Sequence, residues 1–173
     1  MYFRYLLVIH IQIYESNSSG ETIGRYVILH NMSWNLDFST WLCKDTKMNE
    51  YVILKIFSAR EELTKMVMLE IELLQTIHKK IMSEHEQHNQ GNEEEEEDTY
   101  FVKLFNAFRY KTCFDQNRFR YVLVYETYGF DCSQLYESKK ILLTNTNDLI
   151  NQIIFTINLL HDKCGIVHGD LSH

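Results

Sequence analysis

An α+β fold is predicted for this chain: an antiparallel sheet of five strands with one helix packed against it, followed by a helical region. Three features lead there. Three β-type runs follow one another on short connections between residues 25 and 57; a stretch of helical period occupies 60–82; and two more β-type runs precede a second apolar-striped helix. Strands joined by short turns pair antiparallel, and a helix beside such a sheet buries one stripe against it.

The chain opens MYFRYLLVIHIQIY. Ile9, Ile11 and Ile13 alternate with His10 and Gln12, the period of a half-buried strand, and the stretch is too short and interrupted for a secretory leader. Residues 16–20 are a loop by composition, so 1–22 are read as an N-terminal extension. RYVILHNMSW (25–34), FSTWLCKD (38–45) and YVILKIF (51–57) are the first three strands of the sheet, with Lys47, Met48 and Asn49 as a turn; the third strand is apolar on both faces. In 60–82, Leu63, Val67, Leu74, Ile77 and Ile81 fall on one helical stripe. Residues 83–99 are polar and acidic and are read as a solvated insert. FVKLFNAFRY (101–110) and FRYVLVYETY (119–128) supply the last two strands, and a short helical piece is expected at 131–138. A helix over 147–162 has Ile150, Ile153, Ile154, Ile157 and Leu160 on its inner face, Asn145 or Thr146 as a cap, and Gly165 just past its end.

At 173 residues the chain is long enough for a core of its own. Its net charge of −7, six units of which come from the run Glu93–Asp98, argues against nonspecific nucleic-acid or anionic-membrane binding. No apolar run approaches the roughly 18 residues of a membrane span. Cys43, Cys113, Cys132 and Cys164 form no zinc-type spacing and are expected to be free intracellular thiols. Proline is absent, against a usual share of about 5%.

Two charges break the apolar pattern. Lys55 stands inside Tyr-Val-Ile-Leu-Lys-Ile-Phe, and Glu70 lies on the helical stripe between Val67 and Leu74. Both are costly if buried unpaired, and the economical arrangement is that they meet. At about 4 Å and an effective dielectric of about 20 the attraction is about 4 kcal/mol before desolvation is subtracted. Phosphoryl transfer by a protein kinase requires a strand lysine on the nucleotide phosphates, a helix glutamate that orients it, and an aspartate in a His-x-Asp loop. VILK, LEIELL and IVHGDL follow in that order here.

With these residues in place, the chain resembles the eukaryotic-type protein kinases, and within them the kinases specific for serine/arginine-rich proteins. The stretches that carry the resemblance are RYVIL with FSTWLCKD, YVILKIFSA, LEIELL, VLVYETYGFDCSQL and LLHDKCGIVHGDLS, and it extends from about residue 5 to 173. It implies a kinase small lobe over 23–128, with the acidic insert at 83–99, and the beginning of a large lobe over 129–173. Lys55 would contact the α- and β-phosphates of ATP and Glu70 would pair with it. Tyr125 would be the gatekeeper, the backbone of Glu126 and Tyr128 would bond the adenine edge, Asp170 would be the catalytic base, and His168 would brace its loop. ATP and Mg2+ are implied as cofactors, with the metal ligands after residue 173. Arginine/serine-rich proteins are implied as substrates, in cytoplasm or nucleus, for a serine/threonine kinase whose chain to residue 173 is inactive alone.

Several positions depart from the family pattern. Ser33 and Asn35 stand where the first two glycines of the phosphate loop belong, Gly169 separates His168 from Asp170, and Ser172 and His173 replace Lys-Pro. These departures keep open a non-catalytic, pseudokinase-like or regulatory module, and a small α+β interaction domain without nucleotide is a further alternative. The helix at 147–162 is expected to show an apolar face that a partner covers.

Overall fold

The computed structural model describes residues 19–88, 101–111, 118–128 and 143–169. The strand expected around Ile9–Ile13, the helical piece at 131–138, and Cys113, Cys132 and Asp170 lie outside the described residues. One six-stranded antiparallel sheet has the order β1–β2–β3–β4–β6–β5. Its strands are β1 (Thr22–Ile23), β2 (Tyr26–Trp34), β3 (Phe38–Asp45), β4 (Glu50–Phe57), β5 (Leu104–Lys111) and β6 (Phe119–Tyr125). The strand beyond the expected five is β1, which pairs Thr22 with Val27 and Ile23 with Tyr26 across a turn at Gly24. Two residues are too few to display an alternation, so sequence periodicity passes over it.

Alternation along β4 divides the sheet into two faces. Val52, Leu54 and Ile56 join Ile23, Tyr26, Ile28, Trp41, Cys43, Val122 and Val124 in one buried cluster. Tyr26 on β2 stacks on Phe108 of β5 at 5.9 Å between ring centroids, although these strands lie near opposite ends of the sheet order. The sheet is therefore curled, and this cluster is its concave core. On the other face Ile53 and Leu123 are fully buried, as are Phe57 and, on the following helix, Val67. The β3–β4 turn is held by Asp45, whose carboxylate accepts from the Lys47 and Met48 amides at 2.9 and 3.3 Å and pairs with Arg25 at 2.8 Å. Asn49 completes that turn at φ 59°, a conformation asparagine tolerates better than most side chains.

Burial pushes the Cys43 thiol up to about 12 from 9.0, against the opposing effect of a backbone hydrogen bond at Leu29. The folded thiol keeps its proton above the unfolded value, so this contribution to stability is complete below pH 9 and is lost as pH rises toward 12. Cys43 is expected to resist an aromatic disulfide reagent in the folded chain below pH 9 and to react fully on denaturation. Rapid labelling of Cys43 in the native chain would contradict its place in the core.

Helix α1 runs from Leu63 to His88, six residues beyond the expected end at 82. Ser83–His88, read from composition as the start of the insert, continue the helix. Glu and Gln are good helix formers, and no glycine or proline interrupts the chain before Gly91. Helix α2 spans Leu143–Leu159 and passes into a π-helical turn, Leu160–Cys164. Asn145 and Thr146 therefore lie inside its first turn and are not its cap, since neither residue prevents the backbone from winding earlier. Gly165 ends the turn in the left-handed region at φ 66°, and the Ile166 amide donates to the Leu160 carbonyl at 2.9 Å. Leu160 and Cys164 pack with Ile77 of α1, flanked by Ile81, Phe101 and Ile166. Ile157 is half-buried, and Ile150, Ile153 and Ile154 are exposed, which is the apolar face expected of this helix and not a stripe packed inside the chain. Periodicity identifies which side of a helix is apolar; it does not supply an element to cover that side.

The chain divides into two compact units, Met1–Ile71 with Leu104–Thr127, and Glu72–Lys103 with Tyr128–His173. No helix among the described residues is long and apolar enough to cross a membrane, which leaves membrane β-barrels untouched.

Candidate active site

The first unit brings the two anomalous charges together. Lys55 lies in the middle of β4, opposite Thr40 of β3 and Leu123 of β6. The pleat sends its side chain to the face opposite Leu54 and Ile56. Helix α1 is seated by Leu63 and Val67, both buried, and Glu70 follows one turn later on the same side. Lys55 Nζ donates to both carboxylate oxygens of Glu70, at 2.8 and 2.9 Å. The side chains retain 20% and 27% of their exposure, so the pair is half-buried at a margin and not sealed in the interior. A charge-assisted pair in such a setting is worth more than the ~0–1 kcal/mol of a fully exposed one, less what desolvation removes.

Three further contacts are not legible in the sequence. Tyr125, named there as a gatekeeper, donates its hydroxyl to Glu70 Oε1 at 2.5 Å. It pairs with Ile53 across β4–β6, which puts it on the Lys55 face; only the register between strands distant in sequence reveals this. The rings of Phe38 and Phe57 stand 4.4 and 5.0 Å from Lys55 Nζ, so the ammonium also lies against aromatic faces.

Ser33 lies near the end of β2 and Asn35 in the β2–β3 turn, and neither has the positive φ that calls for glycine. Ser33 Oγ shares a hydrogen bond of 2.6 Å with Thr40 Oγ1 on the adjoining strand. Asn35 Oδ1 accepts from the Asp37 and Phe38 amides at 2.8 and 2.9 Å, and the Asn35 amide donates to the Phe38 carbonyl at 2.9 Å. No residue of this turn has a positive φ, so its backbone makes no demand for glycine. The turn is also fastened to the chain after β4. The Ser58 amide donates to the Asp37 carbonyl at 2.7 Å, Ser58 Oγ to the Leu36 carbonyl at 2.9 Å, and the Arg60 guanidinium to the Asp37 carboxylate.

The structure thus assembles Lys55, Glu70 and Tyr125 and leaves Ser33 and Asn35 engaged within the hairpin. Glu126, half-buried, follows directly on β6 in the same unit, whereas Tyr128 and His168 belong to the second unit and are exposed. Lys55 suits an anionic phosphate partner: a cation at a half-open margin, oriented by a carboxylate. The turn does not suit one, because the amides of Asn35, Asp37 and Phe38 already have acceptors. Among the described residues no group of three His, Cys, Asp or Glu side chains could hold a metal ion.

A curled antiparallel sheet whose central lysine is held by a glutamate of the adjacent helix defines a protein-kinase-type small lobe. The sequence is similar to serine/threonine-protein kinase SKY1 of Saccharomyces cerevisiae, 26% identical over 155 residues that are 86% of this chain and 19% of that protein. It is similar to protein kinase dsk1 of Schizosaccharomyces pombe, 23% identical over 151 residues, 86% of this chain and 25% of the relative. SRSF protein kinase 3 of Homo sapiens is 24% identical over 157 residues, again 86% of this chain and 24% of the relative. The chain is thus similar to serine/threonine protein kinases, in keeping with the kinase motifs it carries. It spans a quarter or less of the length of these relatives. No protein-family model matches it.

Proposed function

We propose that the chain is the nucleotide-gripping part of a serine/threonine kinase that transfers the γ-phosphoryl group of ATP to serine hydroxyls of arginine/serine-rich proteins. The observation that carries this reading is the double hydrogen bond from Lys55 to Glu70, which holds a cation ready for phosphate oxygens on the helix-bearing face of the sheet. In this reading 23–128 form the small lobe and 129–173 begin the large lobe. Lys55 binds phosphate, Glu70 orients it, Tyr125 fixes Glu70, and the backbone of Glu126 and Tyr128 holds the adenine edge. Asp170 is the base for the substrate hydroxyl, braced by His168; its role rests on the motif alone. ATP supplies the transferred group, and Mg2+ would offset its charge through ligands outside the described residues. A cytoplasmic or nuclear setting rests on the family resemblance alone, and the exposed isoleucines of α2 support a partner over that face.

A second reading, a pseudokinase-like or regulatory module, is favoured by one observation, the glycine-free turn whose amides are already bonded. Thermal unfolding of the full chain in Mg-ATP separates the two. The kinase reading expects stabilisation that grows with nucleotide, about 2.7 kcal/mol at a hundredfold excess over Kd, and that vanishes in Lys55→Ala. No shift at millimolar nucleotide would leave the second reading standing. Equal phosphorylation of arginine/serine-repeat and arginine-free serine peptides by the protein would remove the proposed substrate class.

A further inference from the structure

Resting on the nucleotide-binding reading, we infer that Asn35, Asp37 and Arg60 form a latch that keeps the β2–β3 turn closed over Lys55 and sets how tightly the site takes a nucleotide polyphosphate. The latch has two parts. Inside the turn, Asn35 Oδ1 takes the Asp37 and Phe38 amides, two donors that an anion at this hairpin would otherwise use. Beneath the turn, the segment after β4 holds both of its tip carbonyls and the Asp37 carboxylate through Ser58 and Arg60. The closed turn brings the Phe38 ring within 4.4 Å of Lys55 Nζ, packed against Phe57. A phosphate group approaching the ammonium therefore competes with Asn35 for amides and with Phe38 for space.

Arg60 and Asp37 are positioning residues in this scheme, since they act through the turn. Both side chains are close to half exposed, so releasing them leaves the core intact. Breaking a neutral hydrogen bond in competition with a ligand is worth about five- to tenfold in affinity.

The test is calorimetric titration of the full chain with Mg-ADP, together with hydrogen exchange at the Asp37 and Phe38 amides. Asn35→Gly removes the internal acceptor, and Arg60→Ala removes the fastening without touching Asn35. Both are expected to bind Mg-ADP about tenfold more tightly than the unmodified chain. In Asn35→Gly the two amides lose their protection, while Asn35→Asp, which retains an acceptor oxygen, keeps it. Lys55→Ala placed on Asn35→Gly should abolish the gained affinity. If the unmodified chain binds as tightly as both variants, and Lys55→Ala abolishes binding, the latch is wrong and the nucleotide site stands. If Asn35→Gly frees the amides yet no variant binds, the nucleotide site itself is wrong, and the latch with it.

Discussion

Leu54→Ala is expected to lower the stability of the chain by about 2–5 kcal/mol, the range for removing a leucine side chain from a packed core. Leu54 is fully buried and lies at the centre of the sheet, opposite Trp41 of β3 and Val124 of β6. Its neighbours include residues from β2, whose Tyr26 is itself stacked on β5. A cavity there loosens the closure of the sheet as well as a single strand pair. Urea unfolding followed by circular dichroism gives the value. Met48→Ala, at an exposed turn position, is the control and should change stability by no more than about 0.5 kcal/mol. Comparable costs for the two substitutions would mean that the curled core is not where stability resides.

The second large effect concerns the ion pair. Lys55→Met and Glu70→Gln, singly and together, should show a coupling of about 1.5–3 kcal/mol, the scale of hydrogen bonds to charged groups. Lys55→Met should be the costlier single change, because it leaves the Glu70 carboxylate with the Tyr125 hydroxyl and no cation. Molar salt should reduce the coupling without abolishing it, since both groups are half-buried. A coupling below about 0.3 kcal/mol would place the pair among solvated surface contacts and remove its reason to exist as a site.

Much of this arrangement is legible in the amino-acid sequence. Lys55 and Glu70 stood out because a charge on an apolar stripe has few affordable fates, and mutual pairing is the cheapest of them. Strands β2 to β6 were visible from their apolar runs and short connections. The extension of α1 through Ser83–His88 is not legible from composition, which reads as a polar loop, whereas good helix formers without a breaker let the backbone continue winding. The apolar stripe of α2 is legible in the sequence, and Ile150, Ile153 and Ile154 are exposed as the expected apolar face, because amphipathicity describes a helix and burial describes its neighbours.

By itself the amino-acid order determined the fold class, the two faces of β4, and the pairing of a strand cation with a helix anion. These follow from periodicity and from the cost of uncompensated charge, both local properties of the chain. Only the tertiary structure decided that Tyr125 reaches Glu70, that Phe38 lies over Lys55, and that Arg60 fastens the turn carrying Asn35. Those contacts join residues far apart in sequence, and they depend on strand register and on the curl of the sheet, which no single segment encodes.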